Sequence, residues 1–228
     1  MERDYNMDKE KKMIDPSLEK ALFSQRFFAV IIDMIIVFLI TRYVISMPIA
    51  SFNPNISRLD EEMNINTKYV LSGDINLQTY INQSIDINHD IARQTGLITI
   101  INILFSIVYF IIIPFHKNGQ TIGKKLLRIR VVSSDPIKEL TANNFAIRSL
   151  IINGILFTMF VLFLALLASR GVYALGILIF VSMQLIITLV CLIGVAVKED
   201  GRGLHDKLAC TLVVRDEVKV REEKLCES

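Results

Sequence analysis

Apolar residues come in four long blocks, at about 27–47, 97–115, 150–168 and 172–197, set in an otherwise polar chain. A helix of about 20 residues crosses a hydrocarbon core about 30 Å thick, and each block is of that order. Four transmembrane helices are therefore predicted. The last two blocks are separated only by Ser169-Arg170-Gly171. They are expected to form a tight helical hairpin, with Gly171 supplying the turn's backbone angles. In the polar segment 48–96, Leu77, Ile81 and Ile85 sit four apart. That spacing predicts a short amphipathic helix on the membrane surface, the alternative being a partly ordered spacer. The stretch Arg128-Ile129-Arg130-Val131-Val132 alternates polar and apolar residues, and Thr211–Arg215 offers it a partner strand. The expected fold class is an all-α membrane protein, four transmembrane helices with a small cytoplasmic β element. It divides into an N-terminal segment 1–25, a membrane domain 26–216 and a charged tail 217–228.

Composition agrees with that pattern. Apolar residues make up 52% of the chain and mean hydropathy is +0.47, above the soluble range. The first block follows 26 mostly polar or charged residues and is not followed by a small-residue cleavage site, so it reads as a span and not as a signal peptide. Charge then orients the spans. The segment 116–149 carries seven Lys or Arg against two acids, whereas 48–96 carries three against six acids. Both termini and the 116–149 loop are expected to be cytoplasmic, in a plasma membrane such as a bacterial inner membrane. The same basic loops would attract anionic headgroups. They lack the interleaved aromatics of a nucleic-acid surface, so the expected partner is the lipid bilayer, joined by a second copy of the chain or a larger membrane protein. Cys191, Cys210 and Cys226 match no disulfide framework and no zinc spacing. No cofactor or metal is implied, and the absence of a nucleophile or general-base constellation argues against an enzyme.

A repeat organises the chain. GQTIGKKLLRIRVV from Gly119 aligns with GRGLHDKLACTLVV from Gly201 at a constant offset of 82 residues. The offset matches Gly119 with Gly201, Lys125 with Lys207, Leu126 with Leu208 and Val131-Val132 with Val213-Val214. Each copy follows the second helix of a hairpin, and Arg26 or Arg148 begins each hairpin. Two parallel units are expected, because an even number of helices per unit preserves its direction across the membrane. Gly119 to Lys125 is not a nucleotide-binding loop, since it lacks a residue and the Ser/Thr of that motif.

Arg26 at the start of the first span, Asp33 within it, NGQTIGKKLLRIRVV after the second and GLHDKLACTLVV at the end resemble the RDD family of membrane proteins. The resemblance implies that Arg26, Asp33 and Asp206 are the residues for which the family is named. It further marks Gly119, Gly123, Lys124, Arg148, His205, Lys207 and Thr211 as motif positions. Similar chains carry a glycine where this one has Cys210, which implies strain there if the position needs a positive φ. For function the resemblance implies transport, with cation/proton exchange as one form.

Asp33 is the chemical focus because a charged residue inside a span is costly and marks a functional site by default. Depth counting from the helix ends places Tyr109, Ser106 and Asn153 near its level, with Thr158, Thr188 and Cys191. Two readings stay open. In one, Asp33 accepts hydrogen bonds and an arginine reaches in, fixing helix register. In the other, Asp33 with Tyr109, Ser106 and Asn153 forms a proton or cation site. The expected function is transport-related exchange at Asp33; the alternative is a non-catalytic accessory subunit of another membrane protein.

Overall fold

The computed structural model describes residues 19–135, 137–197 and 201–216. Residues 1–18 of the N-terminal segment and the tail 217–228 with Cys226 lie outside the described residues.

Among the described residues three helices are long and apolar enough to cross a membrane: α1 (Phe23–Ser51), α4 (Gly96–His116) and α8 (Arg170–Val197). The predicted third span, 150–168, is not one helix. Its residues fall in α6 (Ala142–Ile152) and α7 (Ile155–Leu167), which together reach span length and are broken at Asn153-Gly154. Gly154 there has φ +66, a left-handed conformation that disfavours any residue with a Cβ. The hairpin turn also differs from expectation. The chain leaves α7 through Ala168-Ser169, and Gly171 is already inside α8.

The chain forms two compact units. The first takes in residues up to Val37, Ile107–Asn153 and the chain from Ile187 on. Here the repeat becomes structure. Helix α5 (Ile122–Leu126) and strand β1 (Ile129–Ser133) recur 82 residues later as α9 (Leu204–Leu208) and β2 (Thr211–Arg215). The left-handed residues recur as well: Gly119 with Gly201, and Arg128 (φ +54) with Cys210 (φ +50). β1 and β2 pair antiparallel with Val131 opposite Val213, so equivalent residues face each other at the centre of the ladder. The sheet thus has the local twofold symmetry of two like strands. Ile129, Val131 and Val213 bury one face of it against Ala21, Ala29 and Phe145, each large side chain contributing roughly 1.5–3 kcal/mol.

The second unit comprises Phe38–Ser106 and Gly154–Ile186. The segment expected to be a spacer or one surface helix is a helical hairpin, α2 (Pro54–Ser72) and α3 (Leu77–Gln94). Asn53 and Asn76 cap its two helices and Gly73, at φ +84, ends the first. Asn66 Nδ2 crosses the pair to Ser84 Oγ (3.0 Å) and the Tyr80 carbonyl (3.3 Å). Of the predicted stripe, Leu77 and Ile81 are exposed and Ile85 is half-buried. His89 is buried and packs edge-on against Tyr173, ring centroids 4.9 Å apart. Arg170 reaches Asp86 and Asp90, both at 3.4 Å.

Candidate functional site

Helix α1 is built inside out. Its buried stripe is Arg26, Ala29 and Asp33, spaced three and four apart as one helical face demands. Its apolar residues Phe28, Ile31, Met34, Ile35 and Phe38 point outward. An apolar surround on the outside and polar residues inside is the arrangement a bilayer favours.

Asp33 is 3% exposed, and its carboxylate accepts three hydrogen bonds. Tyr109 Oη donates to Oδ1 (2.7 Å), the Gly123 N–H donates to the same oxygen (2.8 Å), and Thr121 Oγ1 donates to Oδ2 (2.5 Å). Two of these donors come from the start of α5, where a carboxylate satisfies a helix N–H that has no partner within the helix. Gly123 is required for the approach. A Cβ at this position would collide with the Ala29 carbonyl oxygen and lie 2.9 Å from the Asp33 carboxylate. Tyr109 reaches Asp33 from a π-helical stretch, Val108–Ile112, inside α4. Helical counting at 100° per residue does not carry across such a stretch.

Asn153, which ends α6, lines the same cavity as Asp33 without bonding to it. Ser106 belongs to the second unit and donates to the Asn102 carbonyl of its own helix (2.9 Å). Thr121 was missed by the sequence reading, although it lies within the repeated motif. Its proximity to Asp33 spans 88 residues of chain, and no local periodicity encodes that.

The arginines gather on the other aspartate. Arg148 pairs with Asp206 Oδ1 and reaches Thr211 Oγ1 (3.3 Å). Arg26 donates to the carbonyls of Gly201 and Val213 and lies 3.9 Å from Asp206 Oδ2. Asp206 also accepts from the Gly203 N–H (3.3 Å). Burial pushes the Asp206 pKa up, but Arg148, His205 and Arg26 together outweigh it and hold the carboxyl below its usual range. His205 is driven the other way: burial first, then Arg148, lowers it to about 4. It is a neutral imidazole at physiological pH. Gly119, at φ +80, packs against the Val131 backbone, and Lys207 is half-buried.

The equivalent positions under the 82-residue offset are Lys124 and Asp206. Opposite charges therefore occupy matching places on α5 and α9. Both line a cavity of about 280 Å³ in this unit, together with Asp33, Arg26, Arg148, His205, Asn153, Thr188 and Cys191.

The sequence model of the RDD family matches residues 20–210. Comparison with curated proteins and with solved structures returns no match. The family match and the apolar helices make this an integral membrane protein.

Proposed function

This chain belongs to the RDD family, and from that premise we propose that it exchanges a monovalent cation for a proton at Asp33. The observation that carries the reading is the division of labour between the two aspartates. Arg26 and Arg148 are drawn to Asp206 and to backbone carbonyls, and the three hydrogen bonds on Asp33 come from uncharged donors. An arginine bound to Asp33 would hold it permanently as a carboxylate and block proton loading. The hydroxyl oxygens of Tyr109 and Thr121 carry lone pairs that rotation can turn toward a cation. Asp33 also lines the cavity, which supports access to it.

The four apolar blocks contain one carboxylate, Asp33. A single titrating site makes the exchange one-for-one and electroneutral. In this reading the spans form two parallel hairpins, the α6–α7 pair counting as one span, with both termini cytoplasmic. Four helices are few for alternating access, so exchange is proposed to occur in a homodimer.

One observation favours a second reading, an accessory protein that does not transport. Three donors already satisfy Asp33, so it can serve as a fixed bolt between α1 and α5. Flux separates the two. Purified protein in vesicles loaded with a pH-sensitive dye should move protons on a Na⁺ or K⁺ jump. Asp33→Asn, matched for insertion and monodispersity, should lose at least tenfold of that rate. Flux no higher than that of protein-free vesicles supports the accessory reading instead, and equal flux in native and variant vesicles above that level would place transport away from Asp33.

A further inference from the structure

The cavity in the first unit is lined by one more cation than anion. Its polar end carries Arg26, Arg148 and Lys124 against Asp33 and Asp206. Both arginines are committed to Asp206 or to carbonyls, and Asp33 is satisfied by neutral donors. Lys124 makes no hydrogen bond or ion pair with any described residue. Beyond Ser149, Asn153, Thr188 and His205 the rest of the lining is apolar, and Phe23, Phe27, Val30 and Met34 contribute to it from the outward face of α1. The cavity therefore borders the surface that meets lipid.

We propose that this cavity binds an anionic amphiphile from the surrounding bilayer, its acidic head on the Lys124 ammonium and its chain along Phe23, Phe27, Phe110 and Leu192. The shape of the chemistry is what selects this class. A small hydrated anion would leave the aromatic and aliphatic walls unfilled, and a neutral alkyl chain would leave the lysine uncompensated. Lys124 is half-buried without a hydrogen bond or ion pair among the described residues, and an incoming anion offsets the cost of desolvating its charge. The proposal stands independently of cation exchange at Asp33.

The state of Lys124 provides a signature. Burial, then Arg148, lowers its pKa to about 7, with Asp33 and Asp206 opposing the shift. The groups facing it are Arg26 and Asp33 from α1, Arg148 from α6, and His205 and Asp206 from α9. Above pH 7 the amine must take up a proton from solution as the anion binds. Affinity should therefore fall as pH rises, by about tenfold per unit above 7.

The test uses the full chain in zwitterionic nanodiscs, with three probes titrated calorimetrically: decanesulfonate, decanol and methanesulfonate. The sulfonates stay ionised throughout, so any pH dependence belongs to the protein. Decanesulfonate should bind saturably and weaken by about a hundredfold between pH 6 and pH 9. It should take up about 0.9 proton at pH 8, read from buffers of different ionisation heat. Lys124→Met should bind at least tenfold more weakly. Lys124→Arg should keep the binding with a flat pH profile, which also guards against a variant that merely misfolds. Lys124→Met binding within twofold of the native chain would overturn the proposal. Decanol binding as tightly as decanesulfonate would overturn the charge term, and methanesulfonate binding as tightly would overturn the lipid source.

Discussion

Replacing Gly123 with alanine sets two physical arguments against each other. On helix propensity alone, alanine should stabilise a helical position by about 1 kcal/mol. The tertiary contacts demand the reverse. The new Cβ would overlap the Ala29 carbonyl oxygen and sit 2.9 Å from Cγ and Oδ1 of Asp33. Neither neighbour is the free end of a flexible side chain: one is helix backbone and the other is a buried carboxylate held by three donors. Helix α5 must therefore withdraw from α1. Overpacking of this kind costs about 1–3 kcal/mol. Stretching the charge-assisted Gly123 N–H bond to Asp33, 2.8 Å in the native chain, forfeits about 1.5–3 kcal/mol more. Less the propensity gain, Gly123→Ala should destabilise by about 1.5–5 kcal/mol. Gly171→Ala is the control, because a Cβ there meets nothing within 4 Å and the position is helical. Thermal unfolding in detergent, followed by circular dichroism, reads both. Gly123→Ala should melt below the native chain and Gly171→Ala at or slightly above it. A Gly123→Ala variant as stable as the native protein would refute the close approach and with it the geometry assigned to Asp33.

Three further outcomes follow from the same structure. Cys210 holds φ +50, and left-handed backbone costs a residue with a Cβ roughly 1–2 kcal/mol; Cys210→Gly should raise stability by about 0.5–1 kcal/mol in the same melts, and Cys210→Val should lower it. His205 has a folded pKa of about 4, below the ordinary value of 6.5. The unfolded chain therefore binds more protons between those values, so stability should rise with pH through that window and fall on acidification. The full effect is about 3 kcal/mol, and a pH series of unfolding midpoints should lose this slope in His205→Gln. For orientation, in a chain with its three cysteines replaced, a cysteine at residue 60 should react with an impermeant thiol reagent in intact cells. One at residue 135 should react only after permeabilisation, and its labelling in intact cells would reverse the topology.

What the chain by itself determines here is whatever depends on neighbours in sequence. The apolar blocks, the inward stripe of Arg26, Ala29 and Asp33, and the pairing of β1 with β2 all follow from periodicity and from the 82-residue repeat. The resemblance to chains with a glycine at this position marked Cys210, where the backbone does turn left-handed. Tertiary structure decided the rest, because each remaining feature depends on groups brought together from far along the chain. Depth counting could set Tyr109 and Asn153 level with Asp33, but only the fold could add Thr121 and the Gly123 N–H and make Tyr109, not Asn153, a donor to the carboxylate. Nor could charge alone say which aspartate takes the arginines. Arg26 lies seven residues from Asp33 and 180 from Asp206, yet α9 carries Asp206 to it while α5 occupies Asp33 with uncharged donors. The break at Gly154 is of the same kind: an apolar run specifies burial in lipid, but not that a left-handed glycine will interrupt the helix within it.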